Sequence, residues 1–410
     1  MTYDALIDSI GRQIDEQREV LVDLCAEFVA APSMNPPGRT AEVAEVLQRF
    51  LGRHGVSSER IAVDDEAVNV VTTLAGSRPG RHVVFNAHMD TMQAGDEAAW
   101  TVPILQQTRE DGRLYGLGMG NLKGGLAAMA LATVTLASCR DRLPGSLSFT
   151  AVCDEVMFGN RGTEHLLAVR PDFTGDFMIS AEGPGYMDFA IAEKGLLWVD
   201  VEASGEAGHS SRALRGETAV SRLARFITAA DAFNETYSEP PAELAGVTGG
   251  EGNLGLRLSA SAGVLAAGEV RSLVAPMASA HFDFRMPPGI TARDVKDRLE
   301  RIAQEIPGIR LSYPKEWDAS WESSGSSFTK TFAEVVEEVR NAAPRLVVRL
   351  PGSDARHWRD RGVPAICYGP QPTLSAGADD YANEQDLIDC AKIYAIAAIK
   401  LMSASQSGKT

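Results

Sequence analysis

The chain has 410 residues, of which 44% are hydrophobic and 23% are charged. This length exceeds one ordinary domain of roughly 100 to 200 residues, and the composition excludes a disordered or fibrous protein, so we expect two globular domains. The 55 acidic residues outnumber the 39 basic ones and give a formal net charge of −16, which argues against a nucleic acid or an anionic membrane surface as a partner.

The cysteines and the N-terminal segment indicate the expected compartment. Five cysteines are scattered along the chain without C-x-x-C spacing, which is typical of reduced thiols. The first residues carry charges throughout and lack the basic start and apolar run of a secretory signal. The longest nearly apolar stretch, residues 124–138, is shorter than the roughly 20 residues that a bilayer requires. We therefore expect a cytoplasmic protein without a membrane span.

Helical and strand-like patterns alternate in the first part of the chain. Apolar residues recur at helical spacing over residues 4–30, which predicts an amphipathic helix that ends before Pro32. The next predicted elements are a strand at 81–88, a glycine-rich loop at 116–120, a helix at 123–139 and a strand at 146–153. Strands and helices alternate again over 346–399, so the sequence predicts a layered α/β domain.

The pattern changes near residue 195. The predicted elements there are a strand at 196–204, a helix at 218–230, a loop at 237–253, a strand at 278–285 and a helix at 292–305. This arrangement is typical of a separate α+β domain. We predict an α/β domain of residues 1–194 and 314–410, into which the α+β domain of residues 195–313 is inserted.

Ionisable residues follow three of the predicted strands, at the ends where α/β enzymes assemble their sites. His88 and Asp90 close one strand, Glu155 follows another, and Glu182 follows a third. A metal-bound histidine usually donates its second ring N–H to a carboxylate or carbonyl, so His88 is a candidate ligand with Asp90 as its orienting partner. Glu155 is a candidate general base. The alternative is structural: a histidine in a polar cluster, and acidic residues that cap helices or lie in solvated turns.

Two further segments carry side chains that suit catalysis or substrate binding. His209 lies on a loop before a helix of the second predicted domain, where it is either an oxyanion donor or a capping residue. Arg356 lies near Asp354, and a guanidinium group is a natural clamp for a carboxylate. Both Asp354 and Arg356 have a purely structural alternative.

Taken in order, these motifs resemble a metal-dependent peptidase and amidohydrolase family that includes aminoacylase, acetylornithine deacetylase, succinyl-diaminopimelate desuccinylase, carboxypeptidase G and allantoate amidohydrolase. The motifs that carry the resemblance are PSMNPPG at 32–38, HMD at 88–90, GMGNLKGG at 118–125, DE at 154–155, GHSS at 208–211, FDFR at 282–285, GSDAR at 352–356 and NE at 383–384. They extend over most of the chain. The resemblance implies a zinc-exopeptidase-like catalytic α/β domain with an inserted α+β domain that dimerises and covers the active site.

The resemblance also assigns roles to residues of this chain. It makes His88 the first metal ligand, Glu155 the general base and Glu182 a later acidic ligand. It further implies that His209 acts in trans, because the dimerisation domain of one subunit presents this histidine to the active site of its partner. A homodimer, or a larger homo-oligomer, is then the functional unit.

The chain departs from the family pattern at four positions. Asn121 stands where the family has an aspartate that bridges two metal ions, Val156 stands where it has a ligand beside the base, and Asp380 stands at the position of its last histidine. Leu273 replaces an asparagine of the dimerisation domain. A valine cannot bind a metal, and an amide oxygen cannot bridge two dications as a carboxylate does. We therefore expect one of the family's two metal sites to be lost.

The remaining residues predict one loosely bound divalent transition metal per site. His88 and Glu182 are its predicted ligands, with Asp380 or the Asn121 oxygen completing the shell. This oxygen-rich set without a thiolate is compatible with Mn²⁺, Co²⁺, Fe²⁺ or Zn²⁺.

The predicted substrate is a small anion with a carboxylate, bound by Arg356, by Arg285 or by both, although Asp283 is an alternative partner of Arg285. The predicted reaction is hydrolysis of a carbon–nitrogen bond. Deamination of an activated aromatic amine, as in the family's 5-nitroanthranilate aminohydrolase, is favoured because one metal suffices when the substrate carries its own electron sink. The alternatives are an amidohydrolase, deacylase or aminoacyl carboxypeptidase, and a descendant that binds a ligand without catalysis.

Overall fold

The computed structural model describes residues 3–372 and 377–404. The chain divides into two compact units, which are described separately. The first unit contains residues 1–191, 322–346 and 353–410, and the second unit contains residues 192–321 and 347–352. The predicted domain boundary at 313/314 falls inside a strand, Ile309–Trp317, that belongs to the second unit.

The helices and strands are numbered in chain order. The helices are α1 (Tyr3–Glu16), α2 (Arg18–Ala30), α3 (Ala41–Arg53), α4 (Gly124–Ala137), α5 (Thr163–Val169), α6 (Ala219–Asp231), α7 (Ala292–Gln304), α8 (Ser327–Arg340), α9 (Ala355–Arg359) and α10 (Glu384–Met402). The strands are β1 (Glu59–Ala62), β2 (Val68–Ala75), β3 (Arg78–His88), β4 (Thr108–Glu110), β5 (Arg113–Tyr115), β6 (Pro144–Val152), β7 (Phe177–Gly185), β8 (Asp188–Glu193), β9 (Gly195–Ser204), β10 (Gly208–His209), β11 (Ser259–Ala267), β12 (Leu273–Val274), β13 (Met277–Met286), β14 (Ile309–Trp317), β15 (Ser320–Trp321), β16 (Arg345–Arg349), β17 (Ala365–Gly369) and β18 (Tyr381–Asn383).

The first unit is built on a twisted sheet with the strand order β1-β2-β6-β3-β7-β17-β8. Strand β3 pairs in parallel with β6 and with β7, and β7 pairs in parallel with β17. Helices α4 and α10 pack on each other and on β3 and β6. The described residues of α4 are buried as far as Leu136, which explains why its sequence shows no polar face. The parallel strands end at one edge of the sheet, so the residues after them lie close together.

The N-terminal segment differs from the single helix predicted over residues 4–30. It forms α1 and α2, and Gln17 between them has φ −96° and ψ 19°. The apolar residues of α1 form one narrow buried stripe, whereas α2 buries a wider face. The chain therefore leaves helical geometry at Gln17, and two helices replace the single predicted one.

The second unit contains an antiparallel sheet with the order β11-β13-β9-β14, and α6 and α7 pack on one of its faces. The core between sheet and helices includes Leu197, Phe226, Phe282 and Phe284. Strand β11 is an edge strand, and most of its residues are exposed. Within the described residues of both units, no helix is long and apolar enough to cross a membrane.

Candidate metal centre

Three side chains meet at the edge where β3, β6 and β7 end. His88 is the last residue of β3, Glu155 follows β6, and Glu182 lies near the end of β7. His88 Nε2 lies 3.6 Å from Glu155 Oε2 and 3.3 Å from Glu182 Oε1. One ligand atom from each residue lies within 4.8 Å of the others. The structure therefore brings together the three residues that the strand-end argument singled out.

The hydrogen bonds of His88 leave one ring nitrogen directed at this cluster. Its Nδ1 lies 2.8 Å from the main-chain carbonyl oxygen of Asp90, and because a carbonyl only accepts, Nδ1 carries the hydrogen. His88 is 1% exposed, and its Nε2 has no hydrogen-bond partner among the residues that the structure describes. A buried imidazole nitrogen beside two carboxylates is the donor set that a divalent transition metal prefers.

The electrostatics of the cluster favour a cation. Burial opposes protonation of His88, but the negative charges of Glu155, Asp90 and Glu182 outweigh it and raise the pKa of His88 well above its usual value. Glu182 is 2% exposed, so its charge is poorly screened by solvent. A divalent cation would offset the two carboxylates with twice the charge of one proton. The residues present thus fit a metal ion.

Asp90 contacts His88 through its main chain rather than through its side chain. Its carboxylate Oδ1 lies 3.5 Å from His88 Nδ1, and it is the main-chain oxygen of Asp90 that accepts from His88. The carboxylate instead accepts hydrogen bonds from the Glu155 N at 3.2 Å and the Val156 N at 3.0 Å. Amide N–H groups that are withdrawn from water need acceptors, and Asp90 satisfies two that are partly buried. Asp90 therefore orients His88 through its backbone and positions Glu155 through its side chain.

The side chain of Asn35 joins these loops and was not among the predicted site residues. Its Nδ2 donates to Asp90 Oδ2 at 2.9 Å and to Asp154 Oδ1 at 3.1 Å. Asp154 has φ +62° and also accepts from Arg161 Nε at 3.0 Å. The PSMNPPG motif at 32–38 was the sequence signal for this contact, but only the tertiary structure shows which carboxylates Asn35 joins.

Asp354 is a further ionisable group near the cluster. It is 6% exposed. Burial raises its pKa to about 7, and the charges of His88 and Glu182 act on it in opposite directions. The sequence left the role of Asp354 open. In the structure its carboxyl group interacts electrostatically with His88 and Glu182, which are two predicted metal ligands.

The structure places Asp380 and Asn121 in or beside the glycine-rich loop. Asp380 accepts hydrogen bonds from the Gly118 N and the Gly120 N, and it is not a member of the His88 cluster. Burial raises the pKa of Asp380 to about 7, while these N–H groups act in the opposite direction. Asn121 has extended backbone angles, φ −144° and ψ 99°, within the turn that precedes α4. Their membership of a metal shell stays a prediction.

The remaining predicted residues lie elsewhere in the two units. In the second unit His209 is exposed, and its Nδ1 lies 2.9 Å from Ser211 Oγ. Arg285 donates to both carboxylate oxygens of Asp283, at 2.8 and 3.0 Å, so the ion-pair alternative for Arg285 is realised. In the first unit Arg356 is a half-buried residue of α9.

Comparison with known proteins identifies the family. The sequence model described as "Peptidase family M20/M25/M40" matches residues 84–400. The chain belongs to this family. The predicted resemblance and the predicted hydrolase of carbon–nitrogen bonds are thereby confirmed, and a metal-dependent enzyme is supported.

Individual relatives agree with this assignment. A probable succinyl-diaminopimelate desuccinylase of Staphylococcus aureus strain MSSA476 is 24% identical over 407 residues, with 93% of this chain and 97% of the relative covered. An M20 family metallo-carboxypeptidase from Sulfolobus solfataricus has a TM-score of 0.75 and 18% identity, with 93% and 99% of the two chains covered. A dinuclear metal-binding M20 peptidase from Bacillus subtilis has a TM-score of 0.68 and 12% identity, with 95% and 99% covered. These structures confirm the predicted fold class.

Proposed function

We propose that this M20 hydrolase binds one divalent metal ion through His88 and Glu182 and hydrolyses a carbon–nitrogen bond in a small, carboxylate-bearing substrate. The observation that carries the proposal is the buried group of His88, Glu155 and Glu182, whose ligand atoms lie within 4.8 Å of one another. The imidazole nitrogen that faces the two carboxylates has no hydrogen-bond partner among the described residues.

The composition of the cluster supports one ion rather than two. A two-metal site holds its ions roughly 3.5 to 4 Å apart and needs several carboxylates to offset four positive charges. Val156 contributes an apolar side chain where the family pattern has a ligand, and its main-chain N–H is directed to Asp90. Asn121 contributes a neutral amide in place of a bridging carboxylate. The charge of the cluster is therefore balanced by one dication.

Glu155 is the proposed general base. Its side chain is 9% exposed, so water can reach it, and its main-chain N–H is held by Asp90. In the proposed reaction Glu155 takes a proton from the attacking water and returns it to the leaving nitrogen. The metal ion, when bound, would supply a Lewis acid for the charge that develops in the transition state.

A substrate with its own electron sink suits this site best. When water adds to the ring carbon of an electron-poor aromatic amine, the negative charge moves into a substituent such as a nitro group, and ammonia leaves. The need for a second metal at the oxyanion is then reduced. Deamination of a 5-nitroanthranilate-like amine is our favoured substrate assignment. Amide cleavage is the second candidate, because the desuccinylase relative from Staphylococcus aureus is similar over 97% of its own length.

Two product assays separate these candidates. We expect the metal-loaded protein to release ammonia from 5-nitroanthranilate, with about one metal ion per chain by elemental analysis. Release of succinate from N-succinyl-diaminopimelate, without ammonia from the aromatic amine, would establish the second candidate. If neither substrate nor a panel of N-acyl amino acids reacts in the loaded protein, a ligand-binding role becomes the better explanation.

Arg356 is the proposed clamp for the substrate carboxylate, because Arg285 is already bound to Asp283. Replacing Arg356 by Ala removes a charge-assisted bidentate contact and is expected to weaken binding of the acid by about 1.5 to 3 kcal/mol. Arg356→Lys keeps the charge but loses the planar fork, so we expect an intermediate effect. The measurement is KM for the acid and for its methyl ester.

The matched control for this series is Arg361→Ala, which removes an exposed guanidinium that donates to the carbonyl of His357. Its KM is expected to equal that of the parent. If the parent accepts acid and ester equally, or if both Arg356 variants bind the acid like the parent, the clamp is a different residue.

An exposed apolar surface of the second unit supports a homodimer. Within the unit, β10 pairs with β12, which places His209 opposite Leu273. Leu273 is 60% exposed, and Leu265 of edge strand β11 is 61% exposed. Unpaired apolar edge strands favour association with another chain. A partner subunit on this surface would lie next to His209, as action of His209 in trans requires.

Subunit mixing tests the action of His209 in trans. Glu155→Gln and His209→Ala protomers are each expected to be inactive as homodimers. After subunit exchange, half of the dimers are mixed and one of their two sites has both residues, so about a quarter of parental activity should return. Mixing of Glu155→Gln with His88→Ala is the control, because both changes affect the same centre. If the first mixture stays inactive while exchange is demonstrated, His209 does not act in trans.

A further inference from the structure

We infer that Asp380 anchors the glycine-rich loop, residues 116–120, and is not a metal ligand. Its Oδ2 accepts a hydrogen bond from the Gly118 N at 2.9 Å, and its Oδ1 accepts one from the Gly120 N at 3.2 Å. Its main-chain oxygen accepts from the Gly116 N at 2.9 Å. One residue thus binds every second residue of the loop.

These contacts continue a sheet into the loop. Strand β18 pairs with β5, with Tyr381 opposite Tyr115. Asp380 directly precedes β18, and Gly116 directly follows β5. The hydrogen bond between these two residues therefore extends the ladder by one position, and the carboxylate of Asp380 then takes over as acceptor where the backbone turns away.

The glycines of the loop make this close approach possible. Gly118 has φ +84°, and a Cβ atom there would lie 2.4 Å from Thr91 Cγ2. A Cβ atom on Gly120 would lie 2.6 Å from Asp380 Oδ1. The carboxylate of Asp380 therefore occupies the space that a side chain at position 120 would need.

Polar groups of this segment partly offset the burial of Asp380. Lys123 is 1% exposed, its Nζ donates to the Ala31 carbonyl oxygen at 2.8 Å, and its positive charge acts on Asp380. The two glycine N–H groups add partial positive charge at both carboxylate oxygens. These groups favour the ionised carboxylate and oppose burial, which raises the pKa of Asp380 and lowers the pKa of Lys123, each to about 7.

Asp380 affects the candidate metal centre through the position of the loop, not as a ligand. Asp380 lies outside the group of His88, Glu155 and Glu182, and each of its oxygens already accepts a main-chain N–H. The loop that it anchors runs directly into Asn121 and α4. Asp380 is therefore a positioning residue for Asn121. This inference deepens the proposed function and rests on it for the metal, whereas the anchoring of the loop does not depend on a metal.

Two variants disturb the same contact from opposite sides. Asp380→Asn replaces one acceptor oxygen by a donor, and Gly120→Ala places a methyl group against Asp380 Oδ1. Asp379→Asn is the control, because the neighbouring carboxylate of Asp379 accepts from the Thr101 N at 2.8 Å, outside the loop. In metal-free protein we expect the Gly118 and Gly120 amides to exchange their hydrogens about tenfold faster in either loop variant, the factor of one ordinary hydrogen bond.

Metal binding is then measured by titration with Mn²⁺. If Asp380 is a positioning residue, Asp380→Asn and Gly120→Ala should lower the affinity for Mn²⁺ by the same factor, which should not exceed about 100. The double variant should then lose no more affinity than either single variant. The inference is overturned if Asp380→Asn abolishes binding as His88→Ala does while Gly120→Ala binds like the parent, because Asp380 is then a ligand. Unchanged amide exchange in Asp380→Asn overturns the anchor. If the parent itself binds no Mn²⁺, the proposed metal site fails, and the exchange result alone decides whether Asp380 is the anchor.

Discussion

His88→Ala is expected to remove the metal ion and the hydrolytic activity together. The Nε2 of His88 faces Glu155 and Glu182 at 3.6 and 3.3 Å, and its orientation is held by the Nδ1 contact with Asp90. Without the imidazole, two buried carboxylates face each other with one ligand fewer. Loss of a residue that only orients a ligand lowers metal affinity by up to about 100-fold. Because His88 is itself a proposed ligand, we expect its loss to lower the affinity by at least that factor.

The measurement is metal content after dialysis, alongside turnover with saturating metal. His82→Ala is the matched control, since His82 lies on the same strand, β3, and its Nε2 contacts Ser148 Oγ at 2.8 Å. That variant is expected to keep parental metal content. Parental metal content in His88→Ala would place the ion at a different site, and the assignment of Glu182 would then be wrong too.

Glu155→Gln is expected to lower kcat by about 100-fold or more while substrate binding is largely retained. The amide has the size of the carboxylate but cannot take a proton from water at neutral pH. The main-chain N–H of Glu155 still donates to Asp90, so the backbone of the loop is expected to stay in place. An interaction that acts only in the transition state appears in kcat and not in KM.

Metal content of Glu155→Gln decides between two roles for this residue. As a base, Glu155 can be lost with the ion retained, whereas as a ligand its loss weakens metal binding as well. Glu164→Gln is the control, because Glu164 is an exposed residue of α5. A Glu155→Gln variant with parental kcat would refute the role of general base.

The approximate position of the centre followed from local patterns. Short, continuous apolar runs predicted strands that are buried on both faces. The ends of adjacent parallel strands meet at one edge of a sheet. His88, Glu155 and Glu182 could therefore be grouped before their distances were known. The inserted α+β domain was likewise visible as a change in the order of strand and helix patterns near residue 195, although its second boundary was placed inside β14.

Local sequence patterns could not predict the hydrogen-bond partners of individual polar groups. Asp90 is two residues from His88, yet its carboxylate binds the amides of Glu155 and Val156, some 65 positions along the chain. Arg285 could bind a substrate or Asp283, and both are consistent with the FDFR motif. Sequence proximity shows which groups are available, while the acceptor that a buried donor uses depends on which strands become neighbours.

Residue types at strand ends and in glycine-rich turns predicted the fold class and grouped His88, Glu155 and Glu182, because periodicity and strand-end convergence are local or nearly local rules. The family was indicated by the resemblance of the ordered motifs, not by these rules. Tertiary structure alone decided that Asn35 joins Asp90 to Asp154 and that Asp380 accepts from Gly118 and Gly120. The physical reason is that a buried carboxylate is stabilised by whichever N–H groups the packed backbone directs at it, and those groups come from segments far apart in the chain.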